Sequence, residues 1–224
     1  MSTIAVIQPY FFPYAGYFRL FNAADTVVMF DCVQFPRRGW VHRNRFSLAN
    51  GDTDWLTLPI AKAERDARID ELAFANDAEM RLTSALQRFP LLERARRSGE
   101  ALMSSVLTLS GRDVTAYLCG LVVDVCAMLG FERRVIRSST LRIDANLRGQ
   151  ERVIQIVRSL DGSRYVNPSG GRELYDHARF AQAGLELRFL TPYERSMDSV
   201  LSRLLSEPAG TIAREISEQT ILVP

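Results

Sequence analysis

The stretch that most constrains this chain is residues 4–17, IAVIQPYFFPYAGY. Four apolar residues in a row, Ile4, Ala5, Val6 and Ile7, suit a strand covered on both faces, as in a parallel sheet. Gln8-Pro9 ends it, because proline lacks a ladder donor and restrains the residue before it. Pro13 and Gly16 shape a turn, and residues 16–24 (GYFRLFNAA) read as a short amphipathic helix with Tyr17, Leu20 and Phe21 inward. Residues 26–30 are a second apolar strand, so a βαβ unit with a parallel pair is expected. Gln8 then stands at the carboxyl end of a core strand, where open α/β sheets seat ligands, and Asp31 and Gln34 follow the second strand.

The richest polar stretch comes next, residues 35–46, FPRRGWVHRNRF. It carries Arg37, Arg38, Arg43 and Arg45 with His42 and Asn44, no acid among them, and Trp40 and Phe46 interleaved. Arginine forks grip phosphate or carboxylate bidentately and an aromatic ring can stack on a sugar or base, so the loop suits an anionic ligand; as a plain solvated loop it would pair its arginines elsewhere. Asn50-Gly51 marks a turn between strands at 45–48 and 55–58, a hairpin ended by Pro59. Lys62 is the one lysine of the chain, readable as an amine nucleophile, a phosphate contact or a chance survivor of an arginine bias.

Residues 77–108 have a helical pattern broken around Pro90, and 114–129 follow with Asp113 as N-cap and Gly130 as stop. Together, 77–130 read as an all-α insertion within a single α/β domain spanning 1–224, placed to cover the site as a lobe. A strand at 133–137 ends at Ser138-Ser139. An amphipathic helix at 147–160 follows, then a strand at 163–166 that delivers Asn167-Pro168-Ser169-Gly170-Gly171 to a helix over 172–184. A strand, a Ser-Gly-Gly turn and a helix start can seat an anion, although no Walker loop and no GxGxxG is present. His177 falls inside that helix and reads as an ordinary surface or core histidine. A last strand at 185–190 and helices at 199–205 and 211–216 complete an α/β fold, a mostly parallel Rossmann-like sheet flanked by helices.

Composition narrows the class. A net charge of +2 argues against a nucleic-acid coat protein, which needs a basic domain or stripe. The three cysteines, Cys32, Cys119 and Cys126, form no CxxC and give no disulfide framework, so a reduced, cytoplasmic setting is the expectation. No basic stretch precedes the first apolar run, so no leader is read. The apolar 114–131 segment carries Asp124 near its middle, costly in lipid, and reads as a buried helix with Cys119 and Cys126 as core filler rather than a membrane span. That helix could also serve a homo-oligomer interface.

The run Gln8-Pro9-Tyr10-Phe11-Phe12-Pro13, then Gly16-Tyr17-Phe18, resembles the N-terminal signature of the WbqC-like protein family. Asp31, Val33-Gln34-Phe35, Trp40, Arg43-Asn44-Arg45 and Trp55-Leu56-Thr57-Leu58-Pro59 match its next blocks in order. Lys62 falls where the family tends to be lysine-rich, and Ser138-Ser139, Leu141 and Pro168-Ser169-Gly170 match its later half. Cys32 stands where the family often has a second aspartate, and His42 where an amide is common. The resemblance implies a role beside polysaccharide, O-antigen or other specialised biosynthesis, tailoring an amino sugar by acyl or aminoacyl transfer. More distantly, the turn Tyr14-Ala15-Gly16-Tyr17 is similar to the HxGH turn of nucleotidylyltransferases and pantothenate-synthetase-like ligases, with tyrosines where those have histidines.

Three functions follow as expectations. The first is a biosynthetic transferase taking a small anionic or acyl-carrier-linked donor. Its catalytic candidates are Asp31, His42 and Lys62, with Asp31 or His42 as general base. The binding candidates are Gln8, Tyr10, Tyr17, Gln34, Trp40, Arg43, Asn44, Arg45, Ser138, Ser139, Asn167, Ser169 and Gly170. Cys32 is the alternative thiol nucleophile. The second is a non-catalytic module for a nucleotide or sugar precursor, and the third a nucleic-acid binder using the arginine loop. No metal or nicotinamide motif is legible, and the cofactor is unknown.

Overall fold

A computed structural model describes residues 2–109 and 113–224. Met1 and Ser110, Gly111 and Arg112, the last three inside the stretch expected as a helical insertion, lie outside the described residues. The main sheet has six strands: β1 (Thr3–Ile7), β2 (Thr26–Met29), β5 (Arg134–Arg137), β6 (Arg164–Asn167), β7 (Glu186–Leu190) and β8 (Leu222–Val223), in the order β5-β2-β1-β6-β7-β8. All neighbours run parallel except β7 and β8. The expected mostly parallel α/β sheet is therefore the fold. Residues 185–190 are not the last strand, as the chain returns to add β8 along the free edge of β7. Between them, β3 (Arg43–Ser47) and β4 (Thr53–Thr57) form a separate antiparallel hairpin, with Arg43 opposite Thr57.

The strands alternate between two apolar layers, as the period of two requires. Ile4, Val6 and Val28 face one layer with Tyr165, Leu187 and Phe189, covered by Val153, Ile156 and Val157 of α6 (Gly149–Ser159) and by Phe180 of α7 (His177–Gln182). Ala5, Val27 and Met29 face the other. There they meet Leu20 and Phe21 of α1 (Arg19–Ala23), Leu118 and Leu121 of α5 (Val114–Leu129), and Ile212 and Ile216 of α9 (Ala209–Glu218). The same layer runs on through Leu82 of α2 (Ala78–Leu86), Leu92 of α3 (Pro90–Ser98) and Val106 of α4 (Ala101–Leu107). The short α8 (Val200–Leu204) completes it.

Helix α5 begins and ends where its caps require. Asp113 accepts a hydrogen bond from the Ala116 amide (2.6 Å), and Gly130 takes the left-handed conformation (φ 74°) that stops it. It is not buried all round, since Val123 and Met128 are each 46 % exposed. Among the described residues, no helix is long and apolar enough to cross a membrane.

The segment expected as one helix over 172–184 is two. A 3-10 helix covers Ser169–Leu174, the chain extends through Tyr175, and Asp176 then caps α7 by accepting from the Ala178 amide (2.8 Å). A side-chain oxygen positioned to satisfy a first-turn amide starts a new helix, which periodicity alone does not reveal.

Candidate functional site

The carboxyl ends of β2 and β5 lie side by side, and Asp31 ties them together. Its carboxylate is fully buried and accepts from Ser138 Oγ (2.9 Å), the Ser139 amide (2.8 Å), Ser139 Oγ (2.6 Å) and Arg137 Nε (2.8 Å). Burial pushes its pKa up, but the donors from Ser139, Arg137 and Ser138 outweigh it and hold the carboxyl below its ordinary range. With two oxygens serving four donors, Asp31 is committed to joining the strand ends.

Beside this knot lies a cavity of 640 Å³, within the usual size for a small-molecule site. Cys32, Val33 and Gln34 enter it from the end of β2, and Ser138 and Ser139 from the end of β5. The stretch after the hairpin brings Asp66, Arg68 and Asp70. It is laid along the β2 exit by backbone bonds: the Phe35 amide to Ala67 O (2.9 Å), Ile69 to Val33 O (3.0 Å) and Asp70 to Asp31 O (3.0 Å). The start of α6 adds Arg148 and Arg152.

The charges of this cavity are unequal in their commitments. Arg68 forms a two-toothed pair with Asp70 (2.9 and 3.0 Å). Even so, burial raises the Asp70 pKa, Arg68 offsets that in part, and the Asp31 charge adds to it, so the carboxyl stays above its ordinary range. Arg152 is 9 % exposed and has no carboxylate partner among the described residues. Its Nη1 donates to Cys32 O (3.2 Å) and Cys32 Sγ (3.8 Å), its Nη2 to Ala145 O (3.0 Å), and its Nε has no partner. Among the described residues Arg148 likewise bonds only backbone carbonyls, of Ala145 and Leu147. A buried guanidinium without a counter-ion is costly, and an incoming anion would relieve that cost.

The expected site residues are divided. Gln34, Ser138 and Ser139 line this cavity, while Trp40, Asn44 and Arg45 line another, of 530 Å³, between the hairpin, the start of α3 and α8. The arginine loop contributes no residue to the cavity at the ends of β2 and β5. Arg37 donates to Ala63 O (2.7 Å) and Glu64 O (2.6 Å). Arg43 donates to Gly39 O (3.2 Å) and Arg38 O (2.7 Å) while lying 4.1 Å over the Trp55 ring, which Trp40 meets from 5.0 Å. Asn44 is buried and donates to Phe11 O (3.1 Å) and Phe12 O, and Ser199 Oγ also donates to Phe12 O (2.9 Å). Phe12 holds φ 46°, an uncommon backbone for a non-glycine, and these donors brace it.

Gln8, Tyr10, Tyr17, His42, Arg43, Lys62, Asn167, Ser169 and Gly170 line neither cavity. The Tyr17 hydroxyl donates back to Gln8 O (2.9 Å), tying the first turn. Asn167 accepts from the Tyr165 hydroxyl (2.8 Å) and packs beneath Gly171, where an added Cβ would stand 1.8 Å from its Nδ2. Lys62 is exposed, and His42 is buried against Phe35 with its Nδ1 unpartnered. Arg68, Asp70, Arg148 and Arg152 were not singled out from sequence. For Arg152 a signal existed, since it sits one turn before Ile156 on the apolar stripe of an amphipathic helix.

No solved structure matches this chain. It is 33 % identical over 60 residues to the uncharacterized protein Rv1507c of Mycobacterium tuberculosis, a stretch covering 27 % of this chain and 26 % of that protein, so the match spans about a quarter of the relative's length. The model of the WbqC-like protein family matches residues 8–197, from the Gln8 turn through both strand ends of the knot and the approach to α8. With most of its length so matched, this chain belongs to the WbqC-like protein family.

Proposed function

We propose that this chain is a biosynthetic transferase that moves an acyl or aminoacyl group from a phosphate-bearing donor to an amine, as of an amino sugar or a related metabolite. The observation that carries the reading is Arg152, a buried guanidinium without a carboxylate partner among the described residues, in the wall of a 640 Å³ cavity. Arg152 and Arg148 hold the donor's phosphate, a contact that desolvation strengthens. The acceptor amine attacks the acyl carbon, Asp70 takes its proton, and the phosphate-bearing group departs with its charge met by the arginines. Asp70 suits that task because its carboxyl is held above the ordinary range while lining the cavity. Asp31 is a positioning residue, fixing Ser138 and Ser139 at the cavity edge, and His42 and Lys62 have no part.

The test is thermal stability against nucleotides, nucleotide sugars and acyl carriers, followed by turnover with amine acceptors. One donor class is expected to stabilise the protein. Asp70→Asn is expected to keep that stabilisation while losing turnover by about a hundredfold or more, the usual reach of general-base catalysis. Stabilisation without turnover for any acceptor would leave a binding module, and no stabilisation by any phosphate-bearing compound would end the proposal.

A further inference from the structure

Cys32 differs from the other two cysteines in what surrounds it. Cys119 and Cys126 lie on α5, and burial pushes both thiols up to about 12. Cys32 is half-buried at the exit of β2, lines the 640 Å³ cavity, and receives a hydrogen bond from Arg152 Nη1 at 3.8 Å. A thiol on its own would signify little. Here a second feature points to a ligand in the same place: Arg152, nine-tenths buried, has among the described residues no partner for its Nε and no carboxylate to neutralise it. A sulfur and a cation that lacks a counter-ion thus share one wall of a cavity large enough for a small molecule.

We propose that Cys32 is a modification site for anionic low-molecular-weight disulfides, which the cavity's arginines recruit and whose adduct closes the cavity to its donor. In the step, Cys32 gives its proton to solvent and its sulfur attacks one sulfur of the disulfide. A protein–small-molecule S–S bond forms, the original S–S bond breaks, and one small thiolate leaves with the electron pair. The protein sulfur is oxidised and half of the reagent is reduced. Arg152, beside the attacked bond, and Arg148, at the mouth, attract the reagent's carboxylates and offset the negative charge of the exchange. The adduct then occupies the volume where a phosphate would sit. This inference rests on the reading of the cavity as an anion site, and the two can fail separately.

The experiment treats the whole protein with glutathione disulfide, which is anionic, or cystamine, which is cationic, and follows adducts by intact and peptide mass. Cys32 is expected to react first, with glutathione disulfide favoured over cystamine by about tenfold at low salt, a preference that added salt erodes. Arg148→Ala, a change at an exposed side chain, is expected to cut the preference severalfold, and Cys32→Ser to abolish the adduct. The modified protein is expected to lose the thermal stabilisation given by diphosphate, which Cys32→Ser keeps. Reaction of Cys32 no faster than Cys119 and Cys126, or without preference for the anionic disulfide, overturns the inference even if diphosphate stabilises the unmodified protein. A charge-selective adduct in a protein that no phosphate compound stabilises would sink the transferase reading and leave the thiol site standing.

Discussion

His42 is a residue whose protonation the fold resists. It is 8 % exposed, its ring meets Phe35 edge-on at 4.9 Å, and its Nδ1 has no partner. Burial, helped by the Arg43 charge, lowers its pKa from 6.5 to about 4. The unfolded chain therefore binds a proton between those values that the folded chain refuses. The stability that depends on a neutral His42 is complete above pH 6.5 and is lost as pH falls toward 4. Between pH 7 and pH 5 the loss is expected to be about 2 kcal/mol. Chemical denaturation of the parent and of His42→Gln at both pH values checks this, and an equal acid loss in the variant would assign it elsewhere. Sequence showed this histidine among arginines and suggested a base. Its burial by Phe35 comes from the packed fold, and a base must be accessible as well as titratable.

At the scale of elements, legibility followed local chemistry. Asp113 and Gly130 marked both ends of α5, and Asn50-Gly51 marked the hairpin, whose strands begin two residues earlier than the apolar pattern suggests because Arg43 and Asn44 pair with Thr57 and Leu56. Strand β8 was missed because two residues carry no periodicity and its partner β7 is about thirty positions away in sequence. The Ser169-Gly170-Gly171 turn was visible, but its purpose was not. Gly171 makes room for Asn167, which receives the Tyr165 hydroxyl, and Tyr165 stacks on Phe180 at 5.5 Å. Gly171→Ala is expected to push Asn167 aside and break its bond to the Tyr165 hydroxyl, which keeps only the Tyr175 hydroxyl (3.2 Å), costing about 1–3 kcal/mol. Gly170→Ala, whose added Cβ meets nothing within 4 Å, is expected to be near neutral. Parallel urea titrations decide the matter, and equal effects at the two glycines would refute the packing argument.

At the scale of the molecule, the alternation of strands and helices made a parallel sheet legible but not the order of its strands. That order is settled by packing between residues more than a hundred positions apart, as where β1 pairs with β6 and β2 with β5. The order places Asp31 and Ser138-Ser139 at adjacent strand ends and leaves Trp40, Asn44 and Arg45 at a different cavity, so residues that read as one site are split, a few at each of two cavities and most at neither. The division can be tested by where an anion binds. A phosphate-bearing ligand at a hundred times its Kd stabilises its protein by about 2.7 kcal/mol. For a chain of this size that is about 5–10 °C in Tm. Arg148→Ala and Arg152→Gln are expected to remove most of that shift, with Arg152→Gln also read at zero ligand because a buried side chain changes. Arg45→Ala and Trp40→Ala are expected to leave it intact, because they line the other cavity. The reverse pattern would return the anion to the arginine loop and make the Arg152 wall a feature of the core.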